Sequence, residues 1–166
     1  MNYVVSLFTC SPRSLRLRVF ALAYAFLLFP LVLSADTYGD YTYTVSGGKA
    51  TITGYSGPGG TVTIPSTIGS GNYPVTAIGD SAFENCASLV SVIIPNSVQS
   101  IGEAAFCNCS LLADVTLPPY NLTLIGDWAF AGCESLTLVF MPNIERIGDY
   151  AFAFCTALSV IYLNSY

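Results

Sequence analysis

Two kinds of potentially reactive side chain recur at fixed spacing in this sequence. The cysteines Cys86, Cys109, Cys133 and Cys155 follow one another at steps of 23, 24 and 22 residues. An acidic residue stands six positions before each of them, at Asp80, Glu103, Asp127 and Asp149. Thiolates could form disulfides or hold a soft metal, and carboxylates could hold calcium. These two sets are therefore the first candidates for chemistry.

The cysteine spacing favours a structural role over a reactive one. It matches none of the short zinc-binding patterns. Side chains at one position of neighbouring repeats run parallel, which suits a disulfide dihedral near 90° poorly. We therefore expect a column of buried free thiols that act as small hydrophobic groups. Cys107 lies outside this column, and we expect it to be partly exposed and available for pairing with another free thiol.

The acidic column also favours a structural role. A calcium ion needs six or more oxygen ligands, and the glycine and apolar residues around each acid supply none from side chains. A carboxylate at the start of a short helical turn can instead accept backbone N–H groups two or three residues further on. We therefore predict that these acids cap short helical turns, and we predict no metal and no cofactor.

Composition excludes several functional classes. The 166 residues include no histidine, so the commonest general base and metal ligand is missing. Beyond residue 35 the only basic residues are Lys49 and Arg146, against ten acids, which gives 2 − 10 = −8. A chain with this charge cannot neutralise nucleic-acid phosphates. We therefore expect that the chain is not an enzyme and has no catalytic residue. We also expect no nucleic-acid partner.

The first 35 residues have the features of a signal peptide. Arg13, Arg16 and Arg18 precede an apolar run of fifteen residues, 19–33, and small residues follow at Ser34 and Ala35. A retained membrane anchor is the alternative, but the run contains Pro30 and is shorter than the roughly 20 residues that a spanning helix needs. We predict cleavage after about residue 35, no membrane span afterwards, and a secreted or cell-surface location.

The reactive residues belong to a repeat that must position them. The pattern Ile-Gly-acid-x-Ala-Phe begins at Ile78, Ile101, Ile125 and Ile147. Within each unit a Phe, the Cys and a Leu follow at five, eight and eleven residues from the Ile. The Phe residues are Phe83, Phe106, Phe130 and Phe152. No unit of this length can bury its apolar face alone, so the units must stack, with strands about 4.8 Å apart. The Phe and Cys positions then form the ladder of the core.

The unit IGDSAFENCASLVSVIIPNSVQS resembles the BspA-like leucine-rich repeat. The resemblance covers residues 75–163, and the preceding YTYTVSGGKATITGYSGPGGTVTIP is similar to segments found before such repeats. It implies a secreted or surface protein that binds other proteins, including adhesins for host matrix and for neighbouring cells, and it implies no catalytic residues. The last unit departs from the pattern because Asn164 replaces its proline.

We predict a β-rich, leucine-rich-repeat-like solenoid for residues 75–166. Each rung, meaning one turn of the solenoid, should have one short strand, 89–95 in the first unit, and one short helical turn, 78–86. Residues 36–74 should form an antiparallel β cap and a linker, because they alternate and carry glycine turns. Residues 61–65 match 91–95 and should form a rung zero.

The outward side chains of the strands are the predicted ligand-binding site. They form one column at Ser91, Asp114, Leu138 and Val160, and another at Thr63, Ile93, Thr116, Phe140 and Tyr162. The apolar residues of these two columns suggest a surface that binds an extracellular protein. They are Leu138, Phe140, Val160, Tyr162 and Ile93. The alternative is a structural stub or a fragment of a longer surface protein, which self-associates through an open last rung.

The sequons at Asn108 and Asn121 can carry glycans only if the source organism glycosylates asparagine.

Overall fold

A computed structural model describes residues 35–163 as strands and turns that wind into a solenoid. The strands are β1 Asp36–Tyr38, β2 Tyr41–Ser46, β3 Lys49–Tyr55, β4 Gly60–Thr63, β5 Thr67–Ile68, β6 Tyr73–Ile78, β7 Leu89–Ile93, β8 Ser100–Ile101, β9 Asp114–Thr116, β10 Leu124–Ile125, β11 Leu138–Phe140, β12 Arg146–Ile147 and β13 Val160–Tyr162. The leader predicted for residues 1–35 lies almost wholly outside this range and stays a prediction.

Each rung contributes two strands, one to each of two sides of the solenoid. One side is a sheet in the order β1-β2-β3-β6-β8-β10-β12, with β5 attached to β6. The other side consists of two shorter parallel sheets, β4-β7-β9 and β11-β13. The prediction of one strand per rung is therefore wrong: the Ile of each Ile-Gly pair ends a second short strand, as Ile78 and Ile101 do.

The N-terminal residues are part of the solenoid and not a separate cap. Strands β1, β2 and β3 are antiparallel neighbours, but β3 continues the long sheet by pairing in parallel with β6. Strand β4 lies on the other side of the solenoid, where Val62 pairs with Val92. This is the pairing expected for the predicted rung zero. The predicted cap is corrected accordingly, because β3 and β4 together form a complete starting rung.

The predicted helical turn in each rung is also wrong, since residues 35–163 contain no helix. In the first unit the N–H of Ala82 donates to Gly79 O at 3.3 Å and that of Cys86 to Phe83 O at 3.2 Å. Between them, the N–H of Phe83 donates to Ala105 O of the next rung at 2.7 Å. Positive φ angles of 54° at Ser81 and 62° at Asn85 give successive turns of the type that needs a left-handed third residue. Such a backbone cannot propagate a right-handed helix.

The glycine after each Ile is required by the close approach of neighbouring rungs. A Cβ on Gly102 would lie 2.4 Å from Asp80 Oδ1 and 2.7 Å from Asp80 N. On Gly126 it would lie 2.6 Å from the carbonyl carbon of Gly102. These contacts involve backbone that is itself hydrogen-bonded between rungs, so any larger residue would force the rungs apart.

The phenylalanines stack along the centre of the solenoid. Ring centroids are 4.9 Å apart for Phe83 and Phe106, 5.1 Å for Phe106 and Phe130, and 5.4 Å for Phe130 and Phe152. The first three rings are fully buried. At the N-terminal end Tyr55 continues the stack at 5.0 Å from Phe83, with Tyr41 at 6.5 Å.

The cysteines form a second column, in which each thiol binds the preceding rung. The Sγ of Cys109, Cys133 and Cys155 donates to the carbonyl oxygens of Phe83, Phe106 and Phe130 at 3.1, 3.2 and 3.1 Å respectively. These three thiols and that of Cys86 are free. Burial raises the pKa of each of the four, so they are held as neutral thiols and are poor nucleophiles.

Cys107 differs from its predicted environment. It is fully buried in a small cluster with Ala104 and Ala131, on the outer side of the turns and apart from the main core. The expectation of partial exposure is therefore wrong. Cys107 thus packs in a cluster of its own and not in the core cluster that contains Cys109.

Truncating an interior ring should destabilise the whole stack. We expect Phe106→Ala to lower the free energy of unfolding by about 3–5 kcal/mol, because a fully buried aromatic side chain leaves a cavity. The exposed Tyr162→Ala should cost only about 0.5 kcal/mol. Urea denaturation followed by circular dichroism measures both, and equal losses would contradict the assignment of inward and outward faces.

Alkaline pH should weaken the fold through the thiol column. Burial raises the pKa of Cys109 from 9.0 to about 12, so the unfolded chain loses this proton before the folded chain does. The stability that the neutral thiol contributes is therefore complete below pH 9 and is lost as pH rises towards 12. We expect the melting temperature of Cys109→Ala to fall less steeply than that of the parent across this window. Identical slopes in a thermal denaturation series would contradict this role of the thiol.

Candidate functional site

The outward side chains of β4, β7, β9, β11 and β13 occupy two columns that are divided between two sheets. In the first sheet Thr63, Ile93 and Thr116 are neighbours, and Ser91 pairs with Asp114. In the second, Leu138 pairs with Val160 and Phe140 with Tyr162. The register within each sheet is fixed by the inward residues between them, such as Val92 and Val139, which are buried.

The second sheet presents four neighbouring apolar side chains to solvent, and we call Leu138, Phe140, Val160 and Tyr162 the apolar sheet face. Their exposed fractions are 47%, 44%, 38% and 55%. The rings of Phe140 and Tyr162 are 6.4 Å apart and inclined at 55°, within the range of favourable aromatic pairs. Because both strands are hydrogen-bonded in register, these four side chains are held as one rigid patch.

Ile93, the fifth residue predicted for the site, lies elsewhere. It is 40% exposed, but its strand neighbours are Thr63 and Thr116, both polar. Strand β9 separates it from β11, and the two sheets are not hydrogen-bonded to each other. Ile93 is thus a single exposed apolar residue, which is normal on a protein surface, whereas the other four residues form a patch.

The acidic column binds backbone, but across rungs and not within a turn. Asp80 Oδ1 accepts the N–H of Glu103 at 2.8 Å, and Asp127 Oδ1 accepts the N–H of Asp149 at 2.9 Å. The predicted helix-turn caps are corrected for this reason: the accepted N–H belongs to the equivalent acid of the next rung. Within residues 35–163, no three His, Cys, Asp or Glu side chains form a group suited to holding a metal ion.

Sequence reasoning missed an aromatic pair on the outer side of the turns. The rings of Trp128 and Tyr150 stack at 4.6 Å with an interplanar angle of 20°. Both residues have φ of 58°, a conformation that costs energy for a side chain of this size. The signal was present in the sequence, because both residues occupy the variable position of Ile-Gly-acid-x-Ala-Phe. Stacking between neighbouring rungs offsets part of that backbone cost.

Both sequon amides already have partners within the solenoid. Asn108 Nδ2 donates to Asn85 Oδ1 at 3.1 Å, and Asn121 Nδ2 donates to Asn96 O at 2.6 Å. These hydrogen bonds continue the contact between rungs at the turns and loops. Asn121 is exposed, whereas Asn108 is half-buried beside the fully buried Cys109.

The apolar sheet face is therefore a candidate contact surface. It can bury aromatic and aliphatic side chains against another molecule, and it is carried by paired strands and not by a loop.

Within the described range 35–163, no helix is long and apolar enough to cross a membrane.

Comparison with known proteins agrees with this architecture. The family model for the BspA type leucine rich repeat region matches residues 75–166, with six copies of its unit, whereas the Ile-Gly spacing predicts four. No curated protein matches the chain closely enough to be informative.

Three solved structures of bacterial leucine-rich repeat proteins resemble the chain. One from Bacteroides capillosus is 36% identical with a TM-score of 0.70, over 80% of this chain and 99% of that one. A leucine rich cell surface protein from Faecalibacterium prausnitzii is 33% identical with a TM-score of 0.65, over 78% of this chain but 42% of its own. The leucine rich repeat protein of T. pallidum is 31% identical with a TM-score of 0.61, over 77% and 71% of the two chains. With the repeat spacing, the stacked rungs and these likenesses in agreement, the chain belongs to the BspA-type leucine-rich repeat family.

Proposed function

We propose that this chain is a secreted or cell-surface protein-binding module of the adhesin type, with the apolar sheet face as its contact surface. The observation that carries the proposal is the clustering of Leu138, Phe140, Val160 and Tyr162 as exposed neighbours on two paired strands. Family membership supports it, and a similar protein is described as a cell surface protein. The proposal involves no catalytic step.

The rigidity of the patch favours binding. Hot spots of protein interfaces are enriched in aromatic anchors that lose little conformational freedom on binding. Phe140 and Tyr162 contact each other and stand on hydrogen-bonded strands, so few rotamers remain to be fixed. Leu138 and Val160 flank them and can exclude water. We therefore expect the affinity to be concentrated in the last two rungs, while the threonine- and serine-bearing strands contribute little.

The charge of the chain favours a basic ligand. Asp114 is the only ionised residue of the two outward columns, and the chain after residue 35 carries a formal charge of −8 from two bases and ten acids. Charges around an apolar contact mainly raise the association rate and select between partners. Association with a basic surface should consequently slow as salt increases, because the attraction is screened.

Substitution within the patch tests the proposal. Full-length protein is screened by surface plasmon resonance against a panel of extracellular matrix proteins, and Phe140→Ser is compared with the parent on any ligand found. We expect Phe140→Ser to weaken binding about 30-fold, corresponding to about 2 kcal/mol for an aromatic hot spot. Thermal denaturation checks that the variant remains folded.

Thr116→Ala is the matched control, because Thr116 is an exposed residue in the same outward column but on the polar sheet. We expect it to bind like the parent. If Phe140→Ser also binds like the parent, or if Thr116→Ala weakens binding equally, the apolar sheet face is not the contact surface.

A further inference from the structure

One join between rungs lacks backbone hydrogen bonds that the equivalent joins have. The N–H groups of Ile64, Ile94 and Met141 each donate to a carbonyl oxygen of the next rung, at 3.0, 3.0 and 2.9 Å. Leu117 occupies the equivalent position of its unit, but no group within residues 35–163 accepts a hydrogen bond from its N–H. Strands β9 and β11 accordingly belong to different sheets. We call this gap, between residues 115–117 and 138–140, the seam.

A second missing hydrogen bond marks the other end of the seam. The N–H of Ala113 donates to Val90 O at 2.9 Å, and that of Ser159 donates to Thr137 O at 3.0 Å. Thr137 is the equivalent residue of the third unit, yet its own N–H has no acceptor in the described part of the chain. The two strands are thus unpaired along their whole length.

The seam is confined to one side of the solenoid. On the opposite side, β10 pairs with both β8 and β12. In the turns of the same two rungs, the N–H of Phe106 donates to Ala129 O at 2.7 Å. In the loops, Asn143 Nδ2 donates to Pro119 O at 2.7 Å. The two rungs are therefore held together around the seam, and only the strands β9 and β11 are free to approach or separate.

The core beneath the seam is slightly open to solvent. Val115 and Leu117 are 8% and 6% exposed, against 0% and 3% for Val92 and Ile94 in the preceding rung. Buried backbone N–H and C=O groups need a partner, which is another protein group or water. Those of the seam can therefore bind water while it is open, or each other when it closes.

The ladder pattern fixes which groups would pair in a closed seam. Thr116 O and Tyr162 O each accept a hydrogen bond from the preceding rung. A parallel ladder engages alternate residues on each side of a strand, so Phe140, at the equivalent position of β11, faces β9. In the closed seam, Leu117 N would donate to Phe140 O, and Phe140 N would donate to Val115 O.

We propose that the seam opens and closes in the folded protein on a microsecond to millisecond timescale, with the described arrangement as its open state. Strands β11 and β13 are hydrogen-bonded to each other, so they move together against β9. The movement is small, because the turns, the loops and the opposite sheet remain joined. Collective shifts of packed elements fall in this time range.

Closing would change the surface next to the apolar sheet face, and this consequence rests on the proposed function. In the closed register Thr116 lies beside Phe140, and Asp114 lies beside Leu138. The only ionised residue of the two outward columns then borders the patch, so the closed state favours a ligand with a basic group beside an apolar one. The movement itself requires no ligand. It can therefore fail while the binding function stands, and the reverse.

Amide hydrogen exchange of the full-length protein, measured by NMR, tests whether the seam is open. We expect Leu117 and Thr137 to exchange at least about 100-fold faster than Ile94 and Ala113, their equivalents in the preceding rung. Phe106, which joins the same two rungs through the turns, should be as protected as Ile94. Equal protection of Leu117 and Ile94 would show a closed seam, and fast exchange of Phe106 would show that whole rungs separate. Either result overturns the proposal.

Relaxation dispersion of ¹⁵N nuclei in the same protein tests whether the seam moves. We expect exchange contributions at Leu117, Thr137 and Phe140, and none at Ile94 or Phe106. Flat profiles at all five amides, or equal contributions at all five, overturn the proposal. No ligand is present in this measurement, so its result does not depend on the binding function.

A matched pair of substitutions identifies the closing hydrogen bond. Phe140→Pro removes the N–H that the closed seam needs, whereas Phe140→Ala removes the same ring and keeps the N–H. The dispersion at Leu117 and Thr137 should disappear in Phe140→Pro and persist in Phe140→Ala. Persistence in both variants, or loss in both, contradicts closure through Phe140 N. Circular dichroism checks the fold, and if Phe140→Pro does not fold, the two measurements on the parent chain decide.

Discussion

Every other feature of this fold depends on the contact between one rung and the next. A rung has no helix and no complete sheet of its own, and its turn residues send alternate N–H groups to the neighbouring rung. The phenylalanine rings repeat at about 5 Å, which is also the spacing of hydrogen-bonded strands. The stack and the backbone ladder therefore impose the same repeat. Because both have the same repeat, the phenylalanine and the cysteine each occupy a fixed position in every unit.

The recurring polar side chains take part in the same contact. Two of the recurring carboxylates, Asp80 and Asp127, and three of the recurring thiols, Cys109, Cys133 and Cys155, hydrogen-bond a backbone group of an adjacent rung. These five side chains thus contribute to the contact between rungs. On the outer surfaces the residue types change in polarity from rung to rung. Ser91, Asp114, Leu138 and Val160 occupy equivalent outward positions and differ in character, so the outer surface differs between rungs while the core repeats.

The sequence predicted the stack well and the local backbone poorly, and one physical reason accounts for both outcomes. The Phe, Cys and Leu of a unit are each three residues apart, which fits one face of a helix but fits successive hydrogen-bonded turns equally well. The left-handed conformation of Ser81 and Asn85 distinguishes the two, and neither residue type demands it. The sequence also could not show that Ile93 lies apart from the other four apolar residues, because the division of the sheet between β9 and β11 leaves no mark in the repeat pattern.

The difference between the two ends of the solenoid gives the molecule a direction of assembly. Tyr55 and Tyr41 stand before the first repeat in the chain and already cover the start of the aromatic stack. As the polypeptide is synthesised from its N-terminus, each new rung meets a finished edge and can add to it at once. The hydrogen bonds between successive rungs join segments about one repeat apart, so they close only short loops. The N-terminal end of the aromatic stack is thus already covered by Tyr55 and Tyr41 when the later rungs add to it.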